Sequence, residues 1–256
     1  MRRPSESVVF RNEPVVKRIR QIKSDHPFWG YRRMWGYLRY VDGLVINKKR
    51  VYRLMKEYNL TVKPNHRLKA KRLSGRPEPR SDRPNQWWGI DMTKVMTDSG
   101  WVYIVIVLDW YSKKVVGHYA GPQATSRHWL EALERGLNRQ FPDGVWGHDL
   151  HLMSDNGPQP TSERFMKACS SLKIYQAFTS YNNPKGNAYT ERMMRTLKEE
   201  LLWLREWPSA NELTQELDQW IEYYNESYLH SALGYRPPNQ AEETYNLSRK
   251  TLLRSA

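Results

Sequence analysis

The sequence predicts an α/β protein: a mixed five-stranded sheet with helices on both faces, preceded by an all-helical helix-turn-helix region. Three observations carry that expectation. Apolar residues recur at helical spacing between Asn12 and Tyr58. Prolines and cations then dominate residues 63–85 and interrupt any long helix. Beyond Gln86, short runs rich in Val, Ile and Tyr alternate with helical periodicity.

The helices come first. Val15, Val16, Ile19 and Ile22 place one helix from Asn12 to about Ser24, closed by Asp25-His26-Pro27. Tyr31, Met34, Trp35 and Leu38 stripe a second, about Trp29 to Tyr40, and Asp42-Gly43 marks the turn after it. Asn47 is a candidate N-cap for a third, Lys48–Tyr58, with Val51, Leu54 and Met55 facing inward. This pairing suggests a helix-turn-helix with a longer link than usual. In residues 63–85, Lys63, Arg67, Lys69, Lys71, Arg72, Arg76, Arg80 and Arg83 meet only Glu78 and Asp82, which reads as an extended basic linker.

Strands are expected at Trp87–Met92, Trp101–Asp109 and Lys113–Tyr119, an antiparallel meander with Asp98-Ser99-Gly100 as its first turn. A helix (about Ser126–Arg139), a strand (Leu150–Ser154), a helix (Ser162–Leu172) and a strand (Ile174–Phe178) follow. Two longer helices close the pattern, at about Asn187–Trp207 and Ser209–Glu226. The succession βββαβαβα is that of an RNase H-like core. Trp87, Trp88, Trp203 and Trp207 are expected inside it.

The formal net charge is +14, from 41 Lys and Arg against 27 Asp and Glu. Residues 1–85 hold 23 basic and 7 acidic side chains, so the excess lies in the helical region and linker. That is the balance of a nucleic-acid-binding arm joined to a near-neutral domain. Lys48, Lys49, Arg50 and Arg53 open the third helix against the macrodipole preference, which makes sense where a helix end meets phosphate. The single cysteine, Cys169, excludes an intramolecular disulfide framework and a Cys-rich zinc site, and suits a small core residue. The histidines show no ligand-spaced pair. No apolar run approaches membrane-spanning length and no apolar leader follows Met1-Arg2-Arg3, so neither a membrane partner nor secretion is expected.

Three carboxylates stand out. Asp91 interrupts the apolar strand Trp88-Gly89-Ile90-Asp91-Met92, where a charge is expensive unless paired or metal-bound. Asp155 ends a strand, where open α/β sheets place their ligands. Glu191 opens a helix whose core face is Met194, Leu197, Leu201 and Leu204, and shares a separate stripe with Arg195 and Lys198. Singly each has an ordinary explanation: an edge strand, an Asp-Asn-Gly turn, a solvated helical ion pair. Asp109, which closes the second strand, reads as a conformational or hydrogen-bonding residue near the site rather than a further ligand.

Jointly they carry more. Thirty-five residues separate Asp155 from Glu191, and this spacing resembles the Asp-Asp-Glu core of transposases and retroviral integrases. The closer resemblance, from about Pro27 to Pro238, is to OrfB-type transposases of the insertion-sequence-three family. It is carried by Trp29-Gly30-Tyr31-Arg32-Arg33, Asn47-Lys48-Lys49-Arg50-Val51-Tyr52-Arg53-Leu54-Met55, Trp88-Gly89-Ile90-Asp91-Met92-Thr93 and Leu108-Asp109-Trp110-Tyr111-Ser112. Ser154-Asp155-Asn156-Gly157, Lys185-Gly186-Asn187-Ala188, Glu191-Arg192, Tyr223-Tyr224-Asn225 and Gly234-Tyr235-Arg236-Pro237-Pro238 complete it.

The resemblance implies a helix-turn-helix DNA-binding region (1–62), a basic linker (63–85), an RNase H-like integrase catalytic core (86–206) and a C-terminal helical extension (207–256). It implies Asp91, Asp155 and Glu191 as catalytic residues and as ligands of two Mg²⁺ ions, with Mn²⁺ as a substitute. DNA contacts are expected from Lys48, Lys49, Arg50, Arg53, Asn156, Lys185, Asn187, Arg195 and Lys198. The expected partners are element-end and target DNA, further copies of the chain as a dimer or higher oligomer, and a protein from a small upstream partner frame, in a bacterial cytoplasm at the nucleoid. The expected reaction is cleavage and strand transfer of insertion-sequence ends. A non-catalytic DNA-binding descendant and a structure-selective RNase H-like nuclease are the alternatives.

Overall fold

The computed structural model describes residues 6–62, 79–179 and 186–254, and these divide into two units. Most of the expected basic linker, residues 63–78, lies outside the described residues. Residues 207–256, expected as one extension, are shared between the units: Leu229–Arg236 belongs to the first and the remainder to the second.

The first unit is built from α1 (Glu6–Asp25), α2 (Tyr31–Tyr40) and α3 (Lys48–Glu57). Val16, Ile19 and Ile22 of α1, Met34 and Leu38 of α2, and Val51, Leu54 and Met55 of α3 are buried, as their spacing predicts. Asn47 caps α3, its side-chain oxygen accepting from the Lys49 amide at 2.8 Å. Two polar ties lock the bundle. Arg18 forks onto both oxygens of Asp42 at 2.8 Å, and Arg50 donates to Asn12 Oδ1 at 2.8 and 3.1 Å. The segment Leu229–Arg236, with a 3₁₀ turn at Ser231–Leu233, packs within this unit.

The second unit is a five-stranded sheet in the order β3-β2-β1-β4-β5. Its strands are β1 (Trp87–Thr97), β2 (Gly100–Asp109), β3 (Val115–Gly121), β4 (His151–Ser154) and β5 (Tyr175–Phe178). The meander β1-β2-β3 is antiparallel, while β4 and β5 join parallel to β1. This is the RNase H-like arrangement the element order predicted. The inner strand β2 is an unbroken apolar run from Val105 to Leu108, each residue nearly fully buried, as befits a strand covered on both faces.

Alternation along β1 decides which helix meets which face. Trp88 and Ile90 point into a core shared with Trp129, Leu133 and Leu137 of α4 (Ser126–Gln140) and Phe165 and Cys169 of α5 (Glu163–Ser171). α4 approaches closely because Gly117 on β3 has no side chain; a methyl there would overlap the Ala132 carbonyl and lie 2.7 Å from the Gly136 amide. Gly89 and Asp91 point to the other face, where α6 (Ala188–Leu197) lies. α7 (Ala210–Ser227), capped by Ser209, and α8 (Pro238–Arg254) complete the unit.

The structure corrects one long helix. The pattern from Asn187 predicts continuity to Trp207, but α6 gives way at Lys198 to a single π turn, Lys198–Leu202. The wider turn rotates the following residues off the core stripe. Met194, Leu197 and Leu201 remain buried, whereas Leu204 and Trp203 are exposed, contrary to expectation. Trp207 is buried after all, its indole donating to the Leu202 carbonyl at 3.2 Å.

The contact that sets α6 is against β1. A methyl group on Gly89 would overlap the Thr190 hydroxyl and stand 2.5 Å from Trp110 Nε1 and 2.8 Å from Asn187 Oδ1. Gly89→Ala is therefore expected to push α6 away. Urea unfolding should show a loss of roughly 1–3 kcal/mol, the usual penalty for overpacking. Amide exchange should accelerate in Ala188–Leu197 while α4 stays protected; equal exchange in both helices would refute the assignment.

Candidate active site

Asp91 and Asp155 share a row of the sheet. In the parallel pairing of β1 with β4, Gly89 lies beside Met153, so the register carried two residues further sets Asp91 beside Asp155. Adjacent strands lie about 4.8 Å apart, which makes these carboxylates neighbours. Asp155 sits just past the end of β4, its Oδ1 accepting from the Gly157 amide at 3.0 Å. Asp91 Oδ1 accepts from the Met92 amide at 2.8 Å.

Glu191 arrives from the opposite direction, in the first turn of α6. A clamp fastens that turn to the sheet. Trp110, just after β2, donates its indole N–H to Thr190 Oγ1 at 3.1 Å, and its ring lies 5.5 Å from that of Tyr189. Lys113 lays its ammonium over the Tyr189 ring, 3.4 Å from the centroid, and donates to the Trp110 carbonyl. Asp109 shapes the turn that carries both: it accepts from the Ser112 amide (2.7 Å), the Ser112 hydroxyl (2.6 Å) and the Asn85 amide (2.8 Å). Asp109 lies opposite Trp88, three residues along from the partner of Asp91 and so roughly 10 Å away. It acts as a structural acceptor, further from the carboxylates than expected.

The electrostatics follow from this geometry. Burial pushes the Asp91 carboxyl up to about 6, and the negative charges of Asp155 and Glu191 push the same way. Its bond from the Met92 amide and the cation of Lys198 oppose the rise. Asp109 is also pushed up to about 6 by burial, against its three hydrogen bonds. Among the described residues no three acidic, histidine or cysteine side chains close to metal-ligand spacing. The three carboxylates nevertheless lie near enough for Asp91 to feel both of the others.

The remaining sequence candidates divide. Lys198 is half-buried and its charge reaches Asp91, while Arg195 is exposed and donates to Glu199 at 2.7 Å, the helical ion pair of the ordinary reading. Asn156 is exposed, with its side-chain amide donating to the Thr179 carbonyl at 2.6 Å. Asn187, expected at DNA, is buried against Gly89; the close helix–strand contact withdraws it from the surface. Lys185 lies outside the described residues.

On α3, Lys49 and Arg53 are exposed, but Lys48 sits 4.2 Å over the Trp35 ring and Arg50 is bound to Asn12 and the Arg11 carbonyl. Tyr52 and Lys56, which the charge pattern alone did not single out, extend the exposed face at helical spacing. Thr190 and Trp110 were missed as positioning residues. Their signal lay in the glycine at position 89, an odd choice inside a strand unless another element approaches closely.

Comparison with known proteins bears on the fold and the class of protein. Two families, each described as Integrase core domain, match residues 81–184 and 172–238, and an HTH-like domain matches 11–67. The chain is 29% identical over 258 residues to the transposase for insertion sequence element IS904 of Lactococcus lactis subsp. lactis (strain IL1403), covering 96% of this chain and 99% of that protein. It is 26% identical over 248 residues to the transposase for insertion sequence element IS629 of Shigella sonnei, covering 93% and 82%. Among solved structures it resembles in fold a chain of the simian T-cell lymphotropic virus intasome, in complex with PP2A regulatory subunit B56 gamma. That match has a TM-score of 0.53 at 18% identity, over 81% of this chain and 73% of that one.

Fold and matched families thus define a nucleotidyl-transfer enzyme with an integrase core and an HTH-like DNA-binding region. The chain resembles insertion-sequence transposases over nearly its whole length, consistent with an OrfB-type transposase of the insertion-sequence-three family, and is a DNA transposase. Likeness to transposases over nearly the whole chain favours this over the nuclease and non-catalytic alternatives. No helix among the described residues is long and apolar enough to cross a membrane.

The raised carboxylates make a signed prediction. Between the ordinary value of 3.8 and about 6, the folded protein holds protons at Asp91 and Asp109 that the unfolded chain has released. Stability therefore falls as pH rises through that window. Asp91→Asn removes a buried charge with one hydrogen bond, and should stabilise the metal-free protein by roughly 1–3 kcal/mol above pH 6. Asp109→Asn keeps one accepting oxygen but turns an NH₂ toward at least one of the three donors, and this donor–donor clash should destabilise at both acid and neutral pH. Thermal unfolding in EDTA at pH 5 and pH 8 measures both; a destabilised Asp91→Asn at pH 8 contradicts the assignment.

Proposed function

We propose that Asp91, Asp155 and Glu191 are the catalytic triad of this transposase and that together they hold two Mg²⁺ ions. What supports the reading is the convergence of three elements: β1 and the end of β4 carry two neighbouring carboxylates, and α6 is clamped with Glu191 in its first turn, near enough for its charge to reach Asp91. The donor set fits the group: carboxylate oxygens are the hard ligands Mg²⁺ prefers, and a partly buried Asp91 facing two like charges has an evident use for a cation. When bound, Mg²⁺, or Mn²⁺ in its place, supplies Lewis-acid stabilisation of the attacking and leaving oxygens of an in-line displacement.

The chain's own residues do the rest. The clamp of Trp110, Thr190 and Lys113 holds Glu191 rigidly, and positioning is the larger part of catalysis where no covalent enzyme intermediate forms. Lys198, half-buried beside the carboxylates, suits a phosphate of the DNA end. Arg195 and Asn156 lie further out on exposed surface, where they reach the backbone. Water, and then a DNA 3′-hydroxyl, attacks phosphodiesters in line, so ends are cut and joined to target DNA. Two ends must be handled together, which calls for two or more protomers, and the partner-frame protein would assist end recognition.

In the first unit, Lys49 and Arg53, with Tyr52 and Lys56 on the same exposed face of α3, are the groups available to DNA. Lys48 and Arg50 serve that contact indirectly, by fixing α3 within its bundle.

Asp155→Asn and Glu191→Gln should each abolish joining of a pre-cut element end in Mg²⁺ while leaving the unfolding midpoint and duplex binding near those of the parent. Near-normal joining by either would remove that residue from the triad. Lys49→Ala/Arg53→Ala should weaken binding of the same duplex and lower its salt slope by about 2, since each lost phosphate contact accounts for roughly 0.9. An unchanged slope would mean that α3 does not face the DNA.

A further inference from the structure

We infer that residues 229–236 form a clip that completes the helix-turn-helix unit, with Tyr235 as the positioning residue that fixes α2 and the start of α3 for DNA. The inference rests on the reading of α3 as the DNA-facing helix. In sequence the clip follows all five strands and α7 of the second unit, yet it packs with the first unit.

The loop is closed on itself. The His230 amide donates to the Arg236 carbonyl at 3.3 Å, the Tyr235 amide to the His230 carbonyl at 2.8 Å, and Arg236 Nε to the Leu233 carbonyl at 2.9 Å. Gly234 and Tyr235 both have left-handed backbone, with φ of 67° and 62°. Glycine adopts that conformation freely, but tyrosine rarely does, and a bulky residue stays there only when its surroundings hold it.

What holds it is α2. The Tyr235 ring fills the space above Gly36, where a methyl group would stand 2.6 Å from Cδ1 and 2.8 Å from Cε1. The ring stacks on Tyr40 at 5.4 Å and 22°, and meets Trp35 edge-on at 5.2 Å. Through Trp35 the contact reaches the DNA-facing helix. The Trp35 indole donates to the Ile46 carbonyl at 2.8 Å, just before the N-cap of α3. Lys48, the first residue of α3, lies 4.2 Å over Trp35 and 5.4 Å from the Tyr235 centroid. The cation that leads α3 is thus held by two aromatic faces, one from each sequence segment.

The consequence is an order of events. The helical region has all its helices after 62 residues, but its aromatic seat is finished only once the chain has passed through the five strands and α7. A nascent or truncated chain that lacks the clip binds DNA poorly, so binding is coupled to the presence of a completed catalytic core.

A sign reversal at Gly36 tests this in the full chain. Alanine for an interior helix glycine ordinarily stabilises. With the Tyr235 ring in place, Gly36→Ala should lower the melting temperature and raise amide exchange in α2; in a Tyr235→Ala background the same change should raise the melting temperature. Tyr235→Ala should weaken binding of a duplex carrying the encoding element's end about tenfold, the order expected for one aromatic pair and a shared cation. The salt slope should stay unchanged, because no phosphate contact is lost, and Tyr235→Phe should restore affinity. Stabilisation by Gly36→Ala in both backgrounds, or unaltered binding by Tyr235→Ala, overturns the clip. An unchanged salt slope for Lys49→Ala/Arg53→Ala overturns instead the reading of α3 on which it rests.

Discussion

The close approach of α6 to β1 is the constraint on which the rest of the proposed active site depends. Asp91 lies in the sheet and Asp155 directly follows β4, so strand register places both, but Glu191 belongs to a helix, and a helix can sit on a sheet at many distances and rotations. The bare backbone at Gly89 removes most of that freedom. Thr190, Asn187 and the Trp110 indole occupy the volume a side chain would have taken, and the Trp110–Thr190 hydrogen bond fixes the rotation. The Asp109 turn matters for the same reason: a carboxylate buried with three donors holds rigid the loop from which Trp110 and Lys113 reach across.

This arrangement works against stability, and its chemistry explains why. Asp91 is partly buried in a strand that would be better served by an apolar residue, and the charges nearest it include two carboxylates. Lys198 offsets only part of that burden. Fold stability comes from elsewhere: the apolar layer between the sheet and α4 and α5, built on Trp88, Ile90, Phe165 and their neighbours, lies on the face of β1 opposite to Asp91. The alternation of one strand thus separates the stabilising face from the chemical one. A site that gathers like charges pays for itself only when a cation or a phosphate-bearing substrate joins it, which is why strongly perturbed carboxylates mark functional positions.

Much of this was legible in the sequence, and the gaps have physical causes. Element order and strand chemistry predict the sheet, and a charged residue in an apolar strand singles out Asp91 as a candidate. Helix continuation beyond Leu197 was misread because apolar residues kept recurring at helical spacing, and one inserted residue in a π turn leaves no mark on composition. The basic run on α3 was over-read for a different reason. Charge patterns do not show partners, and Arg50 spends its guanidinium on Asn12, 38 residues away, while Lys48 rests on rings. Asn187 was placed at DNA by family resemblance, whereas burial assigns its side chain to the helix–strand contact.

Gly36, Gly89 and Gly117 show one device used three times. Each lies inside a regular element, where glycine is conformationally unfavourable, and each admits a group from another element to a distance no other residue would allow. At Gly117 the guest is the backbone of α4, at Gly89 the side chain of Thr190, and at Gly36 the ring of Tyr235. Ordinary apolar packing tolerates repacking of comparable volumes, so it fixes interelement distances loosely. A recess filled by one group does not adjust in that way. Displacements of about 1 Å can cost two orders of magnitude in rate where reaction depends on positioning, so such contacts belong in an enzyme whose catalysis is mostly geometry. The same recesses tie segments far apart in sequence, which makes the working shape of each unit a property of the finished chain rather than of any fragment of it.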